Sequence, residues 1–343
     1  MSSFAIYRLP HATSCTRISQ AEGMPQTLLS CHELDGCQGF VLAPFQASPR
    51  QPILLIRPDS VEHIRVQAVS STPLTEANTA SQRYTYSADF SACHTQLVSG
   101  ALRKIVLARS ATVCATTPPD PMQLFWQACQ RYPRLFIALV ALPDGTCWLS
   151  ATPEILLEGV GNQWRTVALA GTMQLSGDEL QSEGEHVTWS TKNIEEQHLV
   201  ATYIARCLAQ QGIDYLETGP RTVRAANLVH LRSDFTFAMP STCPVGRLLG
   251  ELHPTPAVCG LPKQAALDFI LSHEHCHRQY YSGFMGPLSI AHETHLYVSL
   301  RCMQLRDNAM TLYAGGGLLT DSTEAQEWQE TEAKMQTMRA LFK

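Results

Sequence analysis

LFIALVALPDGTCWLSATPEILLEGVGNQWRTVALAG, residues 135–171, decides the fold class. Three apolar runs are separated by Asp144-Gly145 and Gly161-Asn162. Asp-Gly between apolar runs is a strong hairpin signal, so the stretch reads as an antiparallel meander. Elsewhere, too, strand patterns are joined by hairpin signals and helical patterns come in separate runs. That arrangement predicts an α+β protein with large antiparallel sheets, not a doubly wound parallel one.

Working outward, residues 296–334 read LYVSLRCMQLRDNAMTLYAGGGLLTDSTEAQEWQETEAK. Residues 296–305 alternate as a half-buried strand, Arg306-Asp307-Asn308 turn the chain, and residues 310–314 return. Gly315, Gly316 and Gly317 read as a loop without side chains, and Asp321 with Glu324 as a capping box. On the helix that follows, Glu327, Glu330 and Lys334 fall at i, i+3 and i+7, on one face.

In the rest of the chain, residues 1–68 read as short strands between polar turns, and 68–87 as a linker-like excursion rich in Ser, Thr and Ala. Helices are predicted over 89–102, 121–131, 179–211 (one or two), 243–252 and up to about 275. KIVLARS (104–110) is a buried strand with Lys104, Val106 and Ala108 on one face, and 215–239 is strand-like.

The chain has 343 residues, 45% hydrophobic and 16% charged, with a formal net charge of -5, an ordinary globular composition. No Lys/Arg run makes a case for nucleic acid or an anionic membrane. The longest apolar run, 135–142, is far too short for a membrane helix, and the N-terminus lacks a signal-peptide pattern. Twelve scattered cysteines without a CxxC pair are expected as reduced thiols in a cytoplasmic protein.

Two residues are candidates for proton chemistry. Lys104 lies in an apolar strand, either snorkelling to solvent or kept neutral by burial as a base. Glu154 lies in an apolar run, either at a wet sheet edge or protonated by burial as a general acid. Glu196 and Glu330 on helices are surface residues or, facing one pocket, ligands for Mg²⁺. Arg301 can grip a carboxylate bidentately, and backbone N–H groups of a glycine loop can approach an anion closely. His273-Glu274-His275-Cys276-His277 satisfies the HExxH pattern of zinc peptidases, a short motif with frequent chance matches.

KIVLAR, SATPEILLE, ALAGT, KNIEEQH, LHPTPAVCGLPKQAA, the run from Glu274 to Gly283, VSLRC, YAGGG and EWQETEAK together resemble the chorismate-utilising enzymes. The resemblance spans about residues 85–343. It implies a single domain over 1–343, with residues 1–84 part of the same fold: two large antiparallel β-sheets flanked by helices. It also implies Mg²⁺ held by Glu196 and Glu330 with Glu327 in support. Substrate would meet Gly171, Thr172, His253, Arg301, Tyr313, Gly315, Gly317 and Lys334, with Lys104 the general base and Glu154 the general acid. Lysine at 104 and alanine at 170 suit water as nucleophile over ammonia. The expected activity is therefore that of an isochorismate synthase acting on chorismate as a monomer or homodimer. The alternatives are a salicylate synthase, an aminating anthranilate or aminodeoxychorismate synthase and a zinc hydrolase. The pathways the resemblance implies are menaquinone and siderophore biosynthesis.

Overall fold

The computed structural model of the chain describes residues 2–69, 76–77, 83–175, 187–225, 228–240 and 242–342. Parts of the expected linker-like stretch 68–87 and of the helical stretch 179–211 lie outside the described residues. The N-terminal third supplies β1 (Ser3–Arg8), β2 (Ser14–Gln20), β3 (Gln26–Leu28), β4 (Gly39–Ala43), β5 (Ile53–Ile56), β6 (Ser60–Arg65) and β7 (Glu76–Ala77). Next come α1 (Arg83–Val98), β8 (Lys104–Ala115), α2 (Pro121–Arg131), β9 (Phe136–Ala141), β10 (Cys147–Thr152), β11 (Ile155–Val160) and β12 (Gln163–Gln174). The middle holds α3 (Thr191–Gln210), β13 (Tyr215–Ala225), β14 (Leu228–Phe237), α4 (Val245–Leu252), β15 (Gly260–Leu261) and α5 (Lys263–His273). The chain closes with β16 (Phe284–Leu288), β17 (Glu293–Val298), β18 (Cys302–Arg306), β19 (Ala309–Leu318) and α6 (Glu324–Arg339).

Among the described residues these strands form two antiparallel sheets, one of ten strands and one of nine. The N-terminal strands join both: β1, β2 and β6 extend the first, and β3, β4 and β5 the second. Apolar residues of the facing sides meet between the sheets, where Phe136 stacks on Tyr297 with ring centroids 4.3 Å apart. The helices α3 and α4 bury their apolar faces on the nine-stranded sheet, and α2 and the end of α6 on the ten-stranded one. The α+β architecture of two helix-flanked sheets therefore matches the expectation. All twelve cysteines are free thiols, and no helix among the described residues is long and apolar enough to cross a membrane.

Four local expectations are corrected. The run around Glu154 is two strands: β10 belongs to the ten-stranded sheet and β11 to the nine-stranded one. Pro153, between them, has no N–H to continue a ladder, so the chain changes sheets there. The run 296–305 breaks in the same way, at residues 299–301 between β17 and β18, where Arg301 holds a left-handed φ of +43°. The two switches lie side by side, since Val298 N donates to Glu154 O and Ala151 N to Arg301 O. Gly315, Gly316 and Gly317 are not a loop but part of β19, paired with Ala108, Leu107 and Val106. Finally, α6 starts at Glu324 behind Thr323, with no side-chain cap from Asp321.

Candidate active site

A cavity opens where the two sheet switches meet β12, β19 and the first turns of α3. It is a narrow cavity of about 40 Å³. Of the sequence-derived candidates, Glu154, Gly171, Thr172, Glu196, Arg301, Gly315, Gly317 and Lys334 line it. Lys104 and Glu330 adjoin it through ion pairs with Glu196 and Lys334 of its wall, whereas Glu327 pairs with Lys192, outside the wall.

Three lysine–glutamate pairs lie at or beside this cavity. Lys104 Nζ lies 3.0 Å from Glu196 Oε1, Lys334 Nζ lies 2.6 Å from Glu330 Oε1, and Lys192 pairs with Glu327. Burial alone raises the Glu196 carboxyl, but the Lys104 charge overrides it and holds it below the usual carboxylate range. Glu327, by contrast, is raised, by burial first and then by repulsion from Glu330.

The glycines of β19 make this packing possible. A Cβ on Gly317 would sit 2.0 Å from Glu196 Oε1 and 3.1 Å from Lys104 Cε. One on Gly316, on the opposite face of the strand, would sit 2.8 Å from Glu327 Oε2. Lys334 Nζ then donates to the Gly315 carbonyl at 2.8 Å, tying α6 to the strand. From the other side, Gln197 pins α3 to β12, accepting from Ala170 N at 3.0 Å and donating to Ala168 O at 3.2 Å. Gly171 N can thereby donate to Glu196 Oε2 at 3.2 Å.

Glu154 is 2% exposed. Burial raises its carboxyl to about 8 although Lys104, Arg301 and Lys334 pull it down, so at neutral pH it carries a proton. Arg301 is also buried, and among the described residues no carboxylate lies within ion-pair distance of it. An arginine buried without a counter-ion is costly, and an anion entering the site would offset that cost.

Two candidates stand apart from the cavity wall. His253 follows α4, its Nε2 3.1 Å from the Pro44 carbonyl oxygen and its ring against Phe284, and burial lowers it to about 4. Tyr313 stacks between Trp148 and Tyr281, and it is Tyr281 that reaches the cavity. Sequence reasoning assigned no role to His230, Tyr281, Leu169, Val258 or Leu300, all of which line the cavity. His230 sits in a plain strand pattern, and no local signal distinguishes it.

The HExxH run is not a zinc helix. α5 ends at His273, and Glu274 binds Arg278 through both carboxylate oxygens and accepts from Ala108 N. His275 pairs with Asp89.

Residues 56–343 match the family described as chorismate binding enzyme. The chain belongs to that family. Among curated members it is 30% identical to isochorismate synthase EntC of Escherichia coli (strain K12) over 242 residues, 70% of this chain and 62% of that protein. It is 32% identical to isochorismate synthase MenF of the same strain over 250 residues, 72% of this chain and 57% of that protein. The match thus spans less than two thirds of each relative's length. The solved structure of MenF, the menaquinone-specific isochorismate synthase from Escherichia coli, superimposes with a TM-score of 0.83. That superposition covers 100% of this chain and 89% of that one at 22% identity, a likeness of fold.

Proposed function

We propose that this family member is an Mg²⁺-dependent isochorismate synthase. The observation that carries the reading is the pairing, in one cavity, of a carboxyl kept protonated at Glu154 with a buried arginine that has no carboxylate counter-ion among the described residues. The names of the aligned relatives agree with it.

In this reading Arg301 takes a carboxylate of chorismate, with Gly171 and Thr172 nearby across the His230 ring. Lys104 takes a proton from the water that attacks C2 of the ring. It can do so only as the free amine, so its ion pair with Glu196 has to open first. The double bonds shift, the C4 hydroxyl leaves, and Glu154 gives it the proton that completes a water molecule. One water enters and one leaves, so the net change is an isomerisation. The buried walls exclude other water and fix the geometry, which matters most in a displacement between small molecules.

The donors present fit a hard divalent cation. Among the described residues no group of three or more His, Cys, Asp or Glu makes a ready metal cage. Mg²⁺, however, needs only one or two carboxylates, its remaining positions going to water and substrate oxygens. Glu196 and Glu330 would hold it, and Glu327 stands by with an Oε2 that finds no well-formed hydrogen bond. When bound, the ion would neutralise substrate carboxylate charge and fix its orientation.

Incubation of the protein with chorismate and Mg²⁺, followed by chromatography of the products, tests the reading. Isochorismate is the expected product. Salicylate with pyruvate would point to the second activity, and an ammonium-dependent aromatic amine would overturn water as nucleophile. A relative from Pseudomonas aeruginosa, 32% identical over 267 residues, is named salicylate biosynthesis isochorismate synthase, which makes the first of these distinctions worth drawing.

A further inference from the structure

His230, on β14, stands in the cavity wall with its Nε2 3.2 Å from Arg301 Nη2. A guanidinium has donors only, so Nε2 accepts and the ring proton sits on Nδ1. Nδ1 lies 3.1 Å from the Gly171 carbonyl oxygen and 3.2 Å from Thr172 Oγ1. That carbonyl is free to accept because β12 bulges between Ala170 and Thr172, with Gly171 at a φ of +70°. Among the described residues His230 is the side-chain hydrogen-bond partner of Arg301. Burial first, then the charges of Arg301 and Lys334, push the imidazole well below its ordinary range. An Asp or Glu in its place would orient the guanidinium equally well, but would cancel its charge and compete with an incoming anion.

We propose that His230 is a positioning residue for Arg301: a neutral Nδ1–H imidazole that braces the guanidinium against the Gly171 bulge and leaves its full charge for a substrate carboxylate. The proposal rests on the isochorismate synthase reading only for the identity of that substrate.

Two substitutions separate the acceptor from the brace. His230→Gln keeps an acceptor near the place of Nε2. His230→Asn keeps a donor toward the Gly171 carbonyl and withdraws the acceptor. With chorismate, H230Q should stay within about threefold of the wild-type kcat/KM. H230N should lose more than about tenfold, mostly in KM, at an unchanged Tm. Equal losses in both variants, or a normal KM in H230N, would overturn the proposal. Benzoate serves as a carboxylate probe that needs no turnover. Its affinity, by calorimetry, should fall more than about tenfold in H230N and survive in H230Q. A wild-type protein that ignores benzoate overturns the proposal, whereas one that binds it and leaves chorismate unchanged overturns only the isochorismate synthase reading. In protein labelled with ¹⁵N-histidine, the His230 signals are those lost in H230N. They should report a protonated Nδ1 and a bare Nε2 at neutral pH; the other tautomer, or an imidazolium, overturns the assignment.

Discussion

At Glu154 the balance of burial against three nearby cations leaves the carboxyl at about 8. A general acid works only while protonated, so kcat should fall with unit slope as pH rises through about 8; a profile flat to about pH 10 would deny Glu154 that role. Stability follows from the same residue. Between the ordinary value of 4.5 and about 8, the folded chain holds a proton that the unfolded chain has released. Stability therefore declines as pH rises across that window, by an amount on the order of a few kcal/mol. Glu154→Gln should abolish turnover yet raise Tm relative to wild type, more at pH 8 than at pH 5, in paired thermal melts. Lys104→Ala should lower kcat by about 10²–10⁴ with the far-ultraviolet circular dichroism unchanged. Glu330→Gln should raise the Mg²⁺ concentration for half-maximal rate more than about tenfold, read by metal titration of the rate.

At the scale of elements, β19 and α6 act as one unit. Gly317 has no room for a side chain, because Glu196 and Lys104 fill the space a Cβ would take. Gly317→Ala should displace both by about 1 Å and cost at least about 100-fold in kcat/KM, with a far smaller change in Tm. Wild-type kinetics in that variant would mean that the carboxylate and lysine need no such closeness. Many elements are legible because hydrophobic period and turn chemistry are local: β9, the Asp144-Gly145 turn and α2 lie near their expected bounds. The sheet switches at Glu154 and Arg301 were not. Alternation runs straight through them, and only pairing with distant strands distinguishes one long strand from two in different sheets. The glycine strand was misread for a like reason. A run of glycines lacks strand propensity, and it is the partners on both faces that keep Gly315 to Gly317 in a ladder.

For the whole molecule, the two sheets are joined by an aromatic layer in which Phe136 of one stacks on Tyr297 of the other. Phe136→Ala opens a cavity there and should cost about 3–5 kcal/mol, seen as a lower denaturant midpoint at an unchanged slope. By itself the sequence determined the α+β class, the ordinary globular composition and, through the ordered motifs, eight of the residues that line the cavity. These depend on side-chain type and on spacing along the chain. Tertiary structure alone decided that Arg301 and Glu154 stand at adjacent sheet switches, that Tyr281 and not Tyr313 reaches the cavity, and that His230 braces Arg301. Each of these is a contact between residues far apart in the chain, fixed by the register and packing of whole sheets, and no local pattern encodes it.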